Sequence, residues 1–596
     1  MSTGGYIIKK ILPLLLIFLL TIIIYGDSLN NDFVDLDDTT YIHKYTYMYR
    51  LTWGALKELF NPGCVIAQGN TYTPVSAIPV LVDYVIWKLN PFGFHLTSLI
   101  FYIINLLLIY LIIIELFKDK YISLITVLIF AVNPLHVEPV AWISGRIHLT
   151  LSIFCFLSFY FFIIASRYWS WFYFLSLFFF IMAILTHPLG CMVPLVFILY
   201  LYCFSSKLRE KSIFYKTASI TPFFLTVLIL QVYLFSMNAQ GVRLKMIKEA
   251  SSYNNIYVAI IVFGKYVRLL LWPDKLSPMY NIEIDKNFIL SLIILLAVTG
   301  VFIYSSIKSR ELFFSIGFFL IFYVPVSQIL IILPFNMADR YLYLPSLGIF
   351  LWITLLLYKV LTHQRCHRLI KISLIVCMIV IIAAQSFVTW RRTFAWQDTM
   401  TLWNDILSKY PVSMVYLRRG TIYYYRGEYD KAIADFNGSL TEDPLYVEAY
   451  DIRGATYIKR NEYNLAMADF TEALRIDPNY VSSYNNRGYI YMVRGEYDKA
   501  IDDFTVALTL DTNYINAYNN RGVVYNKTGD YNKAVNDFTD VIKIDPLNVI
   551  AYNNRAFAYY MKKEYNLAWK DIEKINELGY QVDPTLLESL KKTSKE

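Results

Sequence analysis

Five carboxylates crowd into the twelve positions from 27 to 38, just past the first apolar stretch: Asp27, Asp32, Asp35, Asp37 and Asp38. No Lys or Arg follows until Lys44. Carboxylates at a membrane surface repel one another and repel anionic lipid, so they need either bulk water or a task. Within Phe33-Val34-Asp35-Leu36-Asp37-Asp38-Thr39-Thr40-Tyr41, the adjacent Asp37 and Asp38 are read as having a task. They form the acidic end of an active site at the lip of a bilayer.

Three more polar clusters interrupt the apolar first 390 residues. One is Asn133-Pro134-Leu135-His136-Val137-Glu138-Pro139-Val140-Ala141-Trp142-Ile143-Ser144-Gly145-Arg146. The second is Trp272-Pro273-Asp274-Lys275-Leu276-Ser277-Pro278-Met279-Tyr280, and the third is Met337-Ala338-Asp339-Arg340-Tyr341-Leu342-Tyr343-Leu344-Pro345-Ser346. Ionisable groups at helix ends in a membrane are expensive and sit where they are used. A plainer reading exists for each. Arg146, Arg268 and Arg340 can snorkel to head groups, and His136 and Glu138, two apart on a turn, can pair structurally. The balance shifts because one face of the membrane collects acids, imidazole and guanidinium together, while the other collects mostly Lys and Arg.

The elements that position these groups follow from composition. The chain has 596 residues, 57% hydrophobic and 17% charged, with the apolar residues concentrated before about residue 390. That asymmetry describes a polytopic membrane part followed by a water-soluble part. The net charge of +8 is dispersed, and no basic run interleaved with aromatics suggests nucleic acid. Six cysteines without a C-x-x-C pair argue against a zinc site or a disulfide framework. A span needs about 20 apolar residues and must be helical or part of a closed barrel. The uninterrupted runs predict about eleven helical crossings, near 11–25, 95–117, 121–135, 148–166, 170–186, 188–204, 217–236, 287–306, 311–333, 342–361 and 369–388. Lys9-Lys10 precede the first run and no small-residue cleavage site follows it, so it reads as a retained signal anchor.

Lys9-Lys10 place the N-terminus in the cytoplasm. Lys118/Lys120, Arg167, the Lys207–Lys216 cluster, Lys308/Arg310 and Arg365/Arg368/Lys371 then share that side, provided that 256–272, with Lys265 and Arg268, does not cross. The outer side receives the loops 26–94, 133–147, 237–286 and 334–341, and everything after about 389. Expected domains are a membrane part over 1–390, a juxtamembrane linker over 391–413, a repeat array over 414–584 and a tail over 585–596.

The array announces itself by period. Ala449-Tyr450, Ser483-Tyr484, Ala517-Tyr518 and Ala551-Tyr552 recur every 34 residues. So do Arg419-Gly420, Arg453-Gly454, Arg487-Gly488 and Arg521-Gly522, closed by Arg555-Ala556. Phe436, Phe470, Phe504 and Phe538 keep the same phase. Five copies identify the segment as tetratricopeptide repeats, a helical solenoid with a concave groove for extended peptides or protein surfaces. Asn486, Asn520 and Asn554 repeat on the first helices, where Asn can grip a peptide backbone by donating and accepting at once; they are read as groove residues. The other reading is that they only recur with the repeat.

Together these pieces resemble a known family. The acidic pair after the first span, N-P-x-H-x-E-x-V-A-W-I-S-G-R, W-P-x-x-L-S-P-x-Y, D-R-Y-L-Y-L-P-S and the C-terminal repeats are similar to the transmembrane and tetratricopeptide-repeat O-mannosyltransferases and their bacterial relatives, of the GT-C class. The resemblance implies an all-α fold with a GT-C-like membrane domain ahead of the solenoid. It also implies a polyprenyl- or dolichyl-phosphate-linked sugar donor, a protein acceptor, and transfer on the outer or lumenal face. Asp37 or Asp38 would be the general base for an acceptor hydroxyl, with a lean towards Asp38, and such bases contribute roughly 10²–10⁴-fold. A phosphate leaving group needs no proton, so one carboxylate suffices and inversion is expected. Arg146, Arg340 and His136 would meet the departing phosphate, with Glu138, Asp339 and Tyr341 also in the donor site. Glu138 would orient His136 or help the Asp pair hold a divalent cation, and Asp339 would orient Arg340. Where relatives carry S-K-E, this chain has Thr186-His187-Pro188.

Mannose is the expected sugar in a eukaryote, while a bacterial relative need not share it. The membrane would be the bacterial plasma membrane, with the repeats outside, or that of the endoplasmic reticulum, with the repeats lumenal. A second reading is a non-catalytic membrane scaffold whose repeats recruit partners. A transporter fits less well, since ionisable groups would then lie near mid-membrane in related halves.

Overall fold

The computed structural model describes residues 3–38, 42, 52–61, 73–168, 171–204, 219–230, 252–280, 288–328 and 337–593. Thr39 to Tyr41, Tyr72 and the basic stretch 207–216 lie outside them. The described residues form helices and no strand. They divide into two compact units, Met1–Tyr410 and Pro411–Glu596.

Among the described residues of the first unit six helices are long and apolar enough to cross a membrane: Leu12–Asn30, Pro91–Phe117, Ser144–Ser166, Phe288–Ser305, Asp339–Thr362 and Arg368–Trp396. The pair Lys120–Ala131 and Pro134–Ala141, bent by 60°, makes a seventh if it is one span. The remaining expected crossings coincide with shorter helices, such as Phe172–Thr186 and Ser219–Leu230. The long loop expected over 26–94 contains a further apolar helix, Pro74–Trp87. Ser252–Leu271, which carries Lys265 and Arg268, is helical and is not among the six spans. Large apolar side chains face outward on several spans; Ile379 and Val380 of the last one are 58% and 60% exposed, which water would penalise and lipid does not.

Local signals set the breaks. Asn90 caps Pro91–Phe117 by accepting from the Phe92 amide (3.2 Å), with Pro91 at the first turn. Lys118 ends that helix in the left-handed region, and Asp119 caps the next by accepting from the Tyr121 and Ile122 amides at 2.7 and 3.2 Å. The two helices are therefore antiparallel neighbours. The second stops at Val132, because Pro134 cannot continue it, and Asn133 caps the turn by accepting from Leu135. The chain bends there and carries His136 and Glu138 inward.

In the second unit, ten helices from Ser413–Tyr425 to Tyr565–Glu577 pair into five repeats, followed by Pro584–Thr593. The Arg-Gly dipeptide of each repeat has two jobs. A Cβ on Gly420, Gly454, Gly488 or Gly522 would sit 2.7–2.8 Å from the ring of Phe436, Phe470, Phe504 or Phe538, so only glycine lets the second helix close onto the first. In the fifth repeat both partners change: Ala556 faces Ile572. The Arg holds the Asp sixteen residues on with a two-pronged fork, 2.6–2.9 Å, in all five copies from Arg419–Asp435 to Arg555–Asp571. Its guanidinium also lies over the Tyr three residues earlier, at 5.5–5.9 Å.

Gly488→Ala is expected to lower the stability of its repeat by about 1–3 kcal/mol through overpacking. Adding Phe504→Ile should recover most of the loss, as the fifth repeat does naturally. Hydrogen-exchange protection of the repeat helices in the full-length protein checks both outcomes.

Candidate functional site

The acidic loop is fastened before it can act. The Trp390 indole donates to Asp27 (2.7 Å), the Asp32 amide to the Gln397 carbonyl (2.9 Å) and the Asp35 amide to the Thr399 hydroxyl (2.9 Å). Asp38 is wholly buried, while Asp37 is exposed. One Asp38 oxygen accepts from both the amide and the hydroxyl of Ser144, at 2.8 and 2.7 Å, and the other accepts from the Val34 amide at 3.2 Å. Burial pushes the Asp38 carboxyl up to about 6, although the Ser144 and Val34 donors pull it down; the neighbouring Asp37 charge adds a smaller upward push.

Ser144 belongs to the segment that carries three expected site residues. Gly145 lets this segment fold tightly, since a Cβ there would come 2.8 Å from Trp142 and 3.1 Å from the Glu138 carbonyl. The structure brings Glu138 to Arg340. The Arg340 amide donates to one Glu138 oxygen at 2.9 Å and its guanidinium to the other, and that guanidinium lies over the rings of Trp142 (5.2 Å) and Tyr341 (5.0 Å). Glu138 therefore orients Arg340 rather than His136. The reason is reach: the D-R-Y turn docks against the short helix Val137–Ala141.

His136 is buried with both nitrogens engaged. Nδ1 meets the Phe130 carbonyl (2.9 Å) and the Tyr102 hydroxyl (3.1 Å), and Nε2 meets the Ser346 hydroxyl (3.0 Å). Arg146 is equally enclosed. Its guanidinium donates to Asp83, both side chains being almost fully buried, and to the Phe94 carbonyl (3.3 Å), while Thr97 donates to the second Asp83 oxygen (2.6 Å). The charge expected to meet a phosphate is thus matched by a carboxylate on the helix Pro74–Trp87 that the sequence reading did not single out.

Asp339 accepts from the Tyr280 hydroxyl instead of orienting Arg340. The same hydroxyl accepts from the Ser277 amide (3.1 Å), and the Tyr280 ring lies 5.0 Å from that of Tyr410. Beyond it, Arg392 and Lys409 share Asp405, and Lys409 also donates to the Leu276 carbonyl (2.9 Å). Burial, with Arg392 adding to it, pulls the Lys409 ammonium down to about 8. The segment 391–410 is therefore built into the first unit. Among the described residues no group of three or more His, Cys, Asp and Glu side chains gathers to hold a metal ion.

An apolar cavity of about 190 Å³ opens between the helices Ser252–Leu271, Phe288–Lys308, Arg310–Tyr323 and Tyr343–Thr362, with Leu270, Val301, Phe319 and Ile353 in its walls. Tyr266, one turn before Leu270, exchanges hydrogen bonds with the backbone of Ala338, both 3.0 Å.

In the second unit, Asn486 donates to Asp451 (3.2 Å) and Ser482 (3.3 Å), and Asn520 donates to Asn485 (2.9 Å). The Asn554 carbonyl accepts from Asn526 (3.3 Å). All three Asn are half-buried. They tie neighbouring repeats to one another and keep part of their surface accessible.

Fold and site define a polytopic membrane protein with a tetratricopeptide solenoid. Tetratricopeptide-repeat family profiles match residues 415–444, 454–493, 488–529 and 515–548. The chain is 24% identical over 377 residues to the human protein O-mannosyl-transferase TMTC3, which covers 56% of this chain and 40% of that protein. It is 22% identical over 464 residues to a Caenorhabditis elegans protein O-mannosyl-transferase, F38B6.6, covering 73% and 63%. The resemblance carried by the motifs thus extends over most of the chain, which spans less than two thirds of either relative's length. Among solved structures the repeats are similar to the MamA protein (27% identity, TM-score 0.25, 31% of this chain and 94% of that one). They are also similar to YrrB, a tetratricopeptide protein with an unusual peptide-binding site (21%, TM-score 0.28, 32% and 97%).

Removing one partner of a buried ion pair strands the other charge at a cost of about 3–5 kcal/mol. Asp83→Ala should therefore destabilise the first unit by that amount, and Asp83→Leu with Arg146→Met should recover most of it. Thermal unfolding in detergent measures both.

Proposed function

We propose that the chain is an inverting membrane glycosyltransferase of the GT-C class. It moves mannose or another hexose from a polyprenyl- or dolichyl-phosphate carrier to Ser or Thr hydroxyls of a protein acceptor. The observation that carries this reading is that Ser144 grips the acidic loop from the same short segment whose Glu138 holds Arg340. A base and a cation for a leaving phosphate then share one rigid support.

Asp37, the exposed member of the pair, takes the proton of the acceptor hydroxyl as its oxygen attacks the anomeric carbon. The bond from that carbon to the phosphate oxygen breaks on the opposite side, and its electron pair leaves with the phosphate. Arg340, held by Glu138, stabilises the charge that develops there. Asp38, its oxygens taken by Ser144 and Val34, positions Asp37, and this reading puts the base at Asp37 where the sequence leaned towards Asp38. Arg146, Asp339 and His136 hold the walls of the site, and Tyr341 supports Arg340. The apolar cavity walled by Leu270, Val301, Phe319 and Ile353 takes isoprenoid carbons of the carrier. The repeats, through Asn486, Asn520 and Asn554, hold the acceptor chain on the outer or lumenal face, beside a plasma membrane or that of the endoplasmic reticulum.

Asp37→Asn is expected to lower sugar transfer at least about 100-fold without loss of folded protein. Transfer at the wild-type rate in that variant contradicts the reading, and no transfer by wild type from any carrier favours the scaffold. The pH profile gives a second check. Asp38 is protonated below about pH 6, so activity should fall on the acid side of that value. Ser144→Ala removes a donor that lowers the Asp38 carboxyl, so the acid limb should move to higher pH.

A further inference from the structure

Thr399 heads the helix Thr399–Leu407, and its neighbour Asp398 caps that helix by accepting from the Thr401 amide and hydroxyl, both 2.8 Å. The helix start is thus satisfied without Thr399. Its own hydroxyl accepts instead from the Asp35 amide at 2.9 Å, across 364 positions of sequence. Three more bonds keep step along the same two segments. The Trp390 indole donates to Asp27 (2.7 Å), the Asn31 amide side chain to the Thr393 carbonyl (3.5 Å), and the Asp32 amide to the Gln397 carbonyl (2.9 Å).

Past Asp35 the acidic loop closes on itself. The Asp38 amide donates to the Val34 carbonyl at 3.3 Å, and the Asp38 carboxylate accepts from the Val34 amide at 3.2 Å. Asp37 therefore sits in a turn held at both ends, by Thr399 at Asp35 and by Ser144 at Asp38. The same few residues also reach the cation. Trp396, wholly buried, stacks on Trp142 with ring centroids 6.1 Å apart and planes 23° apart, and the Arg340 guanidinium lies over the Trp142 ring at 5.2 Å.

Packing alone accounts for the Trp396 stack, since a buried indole needs neighbours. It does not account for the bonds to the loop. Asp27, Asp32, Asp35 and Asp37 are exposed, so their charges repel one another and their amides have water within reach. Order in such a loop has to be imposed from outside it. Two supports impose it: the segment of Glu138 and Ser144, and the stretch from Trp390 to Thr399.

We infer that Thr399 is a positioning residue for the base, and that with Trp396 and Gln397 it sets Asp37 at a fixed place relative to Arg340. The inference rests on the glycosyltransferase reading for the roles of Asp37 and Arg340. Thr399 acts through the Asp35 backbone and touches neither donor nor acceptor, so its loss changes the rate of the step rather than the binding of either substrate. Among the bonds from Asp32 and Asp35, it supplies the one acceptor that a substitution can remove, since the other is a backbone carbonyl.

The full-length protein in detergent tests this, with farnesyl-phosphate mannose as donor and a threonine-rich peptide as acceptor. Thr399→Val keeps the shape of the side chain and removes its hydroxyl, while Thr399→Ser keeps the hydroxyl. In Thr399→Val, kcat is expected to fall roughly tenfold with KM for donor and peptide unchanged, because misplacement of a reacting group costs rate. Hydrogen exchange at the Asp35 amide, read by fragmentation mass spectrometry, is expected to quicken about tenfold in the same variant. Thr399→Ser should restore both. A wild-type kcat in Thr399→Val overturns the inference. So does a fall in kcat that Thr399→Ser shares, a matching rise in KM, or a lower kcat with Asp35 exchange unchanged. Faster Asp35 exchange in Thr399→Val, with no transfer by the wild type, keeps the anchor and removes the base that it positions. Transfer that Asp37→Asn abolishes and Thr399→Val leaves intact does the reverse.

Discussion

A guanidinium in surroundings of low dielectric must be paired, and the first unit depends on how Arg340 meets that requirement. Its partner, Glu138, is 202 positions away in sequence and takes both the backbone amide and the side chain of Arg340. One contact thus joins the turn after the broken helix at Asn133 to the D-R-Y turn. Loss of either member would leave a buried charge alone, an outcome far costlier than the pair itself is stabilising.

The same rule organises the surroundings. Arg146 is matched by Asp83, Asp339 is hydrogen-bonded by Tyr280, and Arg392 and Lys409 share Asp405. The first two pairings link parts of the chain 63 and 59 positions apart, while Asp405 ties together the residues that follow the last apolar helix. The acidic loop is then the exception that matters. Asp38 is buried, among the described residues it has no cation beside it, and it is held only by neutral donors, so burial raises its carboxyl to about 6. The repeats apply the rule within each copy, where an Arg fork on an Asp joins the two helices and the glycine beside the Arg lets them touch.

The repeats were the most legible part, because a 34-residue period leaves its signature in Arg, Gly, Phe and Tyr at fixed phase. The apolar runs were legible as helices for the same physical reason, and the motif residues Glu138, Asp339, Arg340 and Ser144 do meet in one region. Partners were harder. Asp83 looks like an interruption of an apolar run, and only folding brings it to Arg146. Glu138 was assigned to His136 by proximity in sequence, and Asp339 to Arg340 likewise, whereas each found its partner across the fold. Asp37 and Asp38 are chemically identical in sequence; burial alone separates them.

The central claim is that Asp37 and Arg340 act together to move a sugar from a phosphate carrier to a protein hydroxyl. Mass spectrometry of secreted and surface proteins tests it most directly, comparing cells that carry the wild-type chain with cells that carry Asp37→Asn. The account predicts one hexose on Ser or Thr of particular proteins, lost in the variant at unchanged protein level. The same modification present in both cells contradicts it.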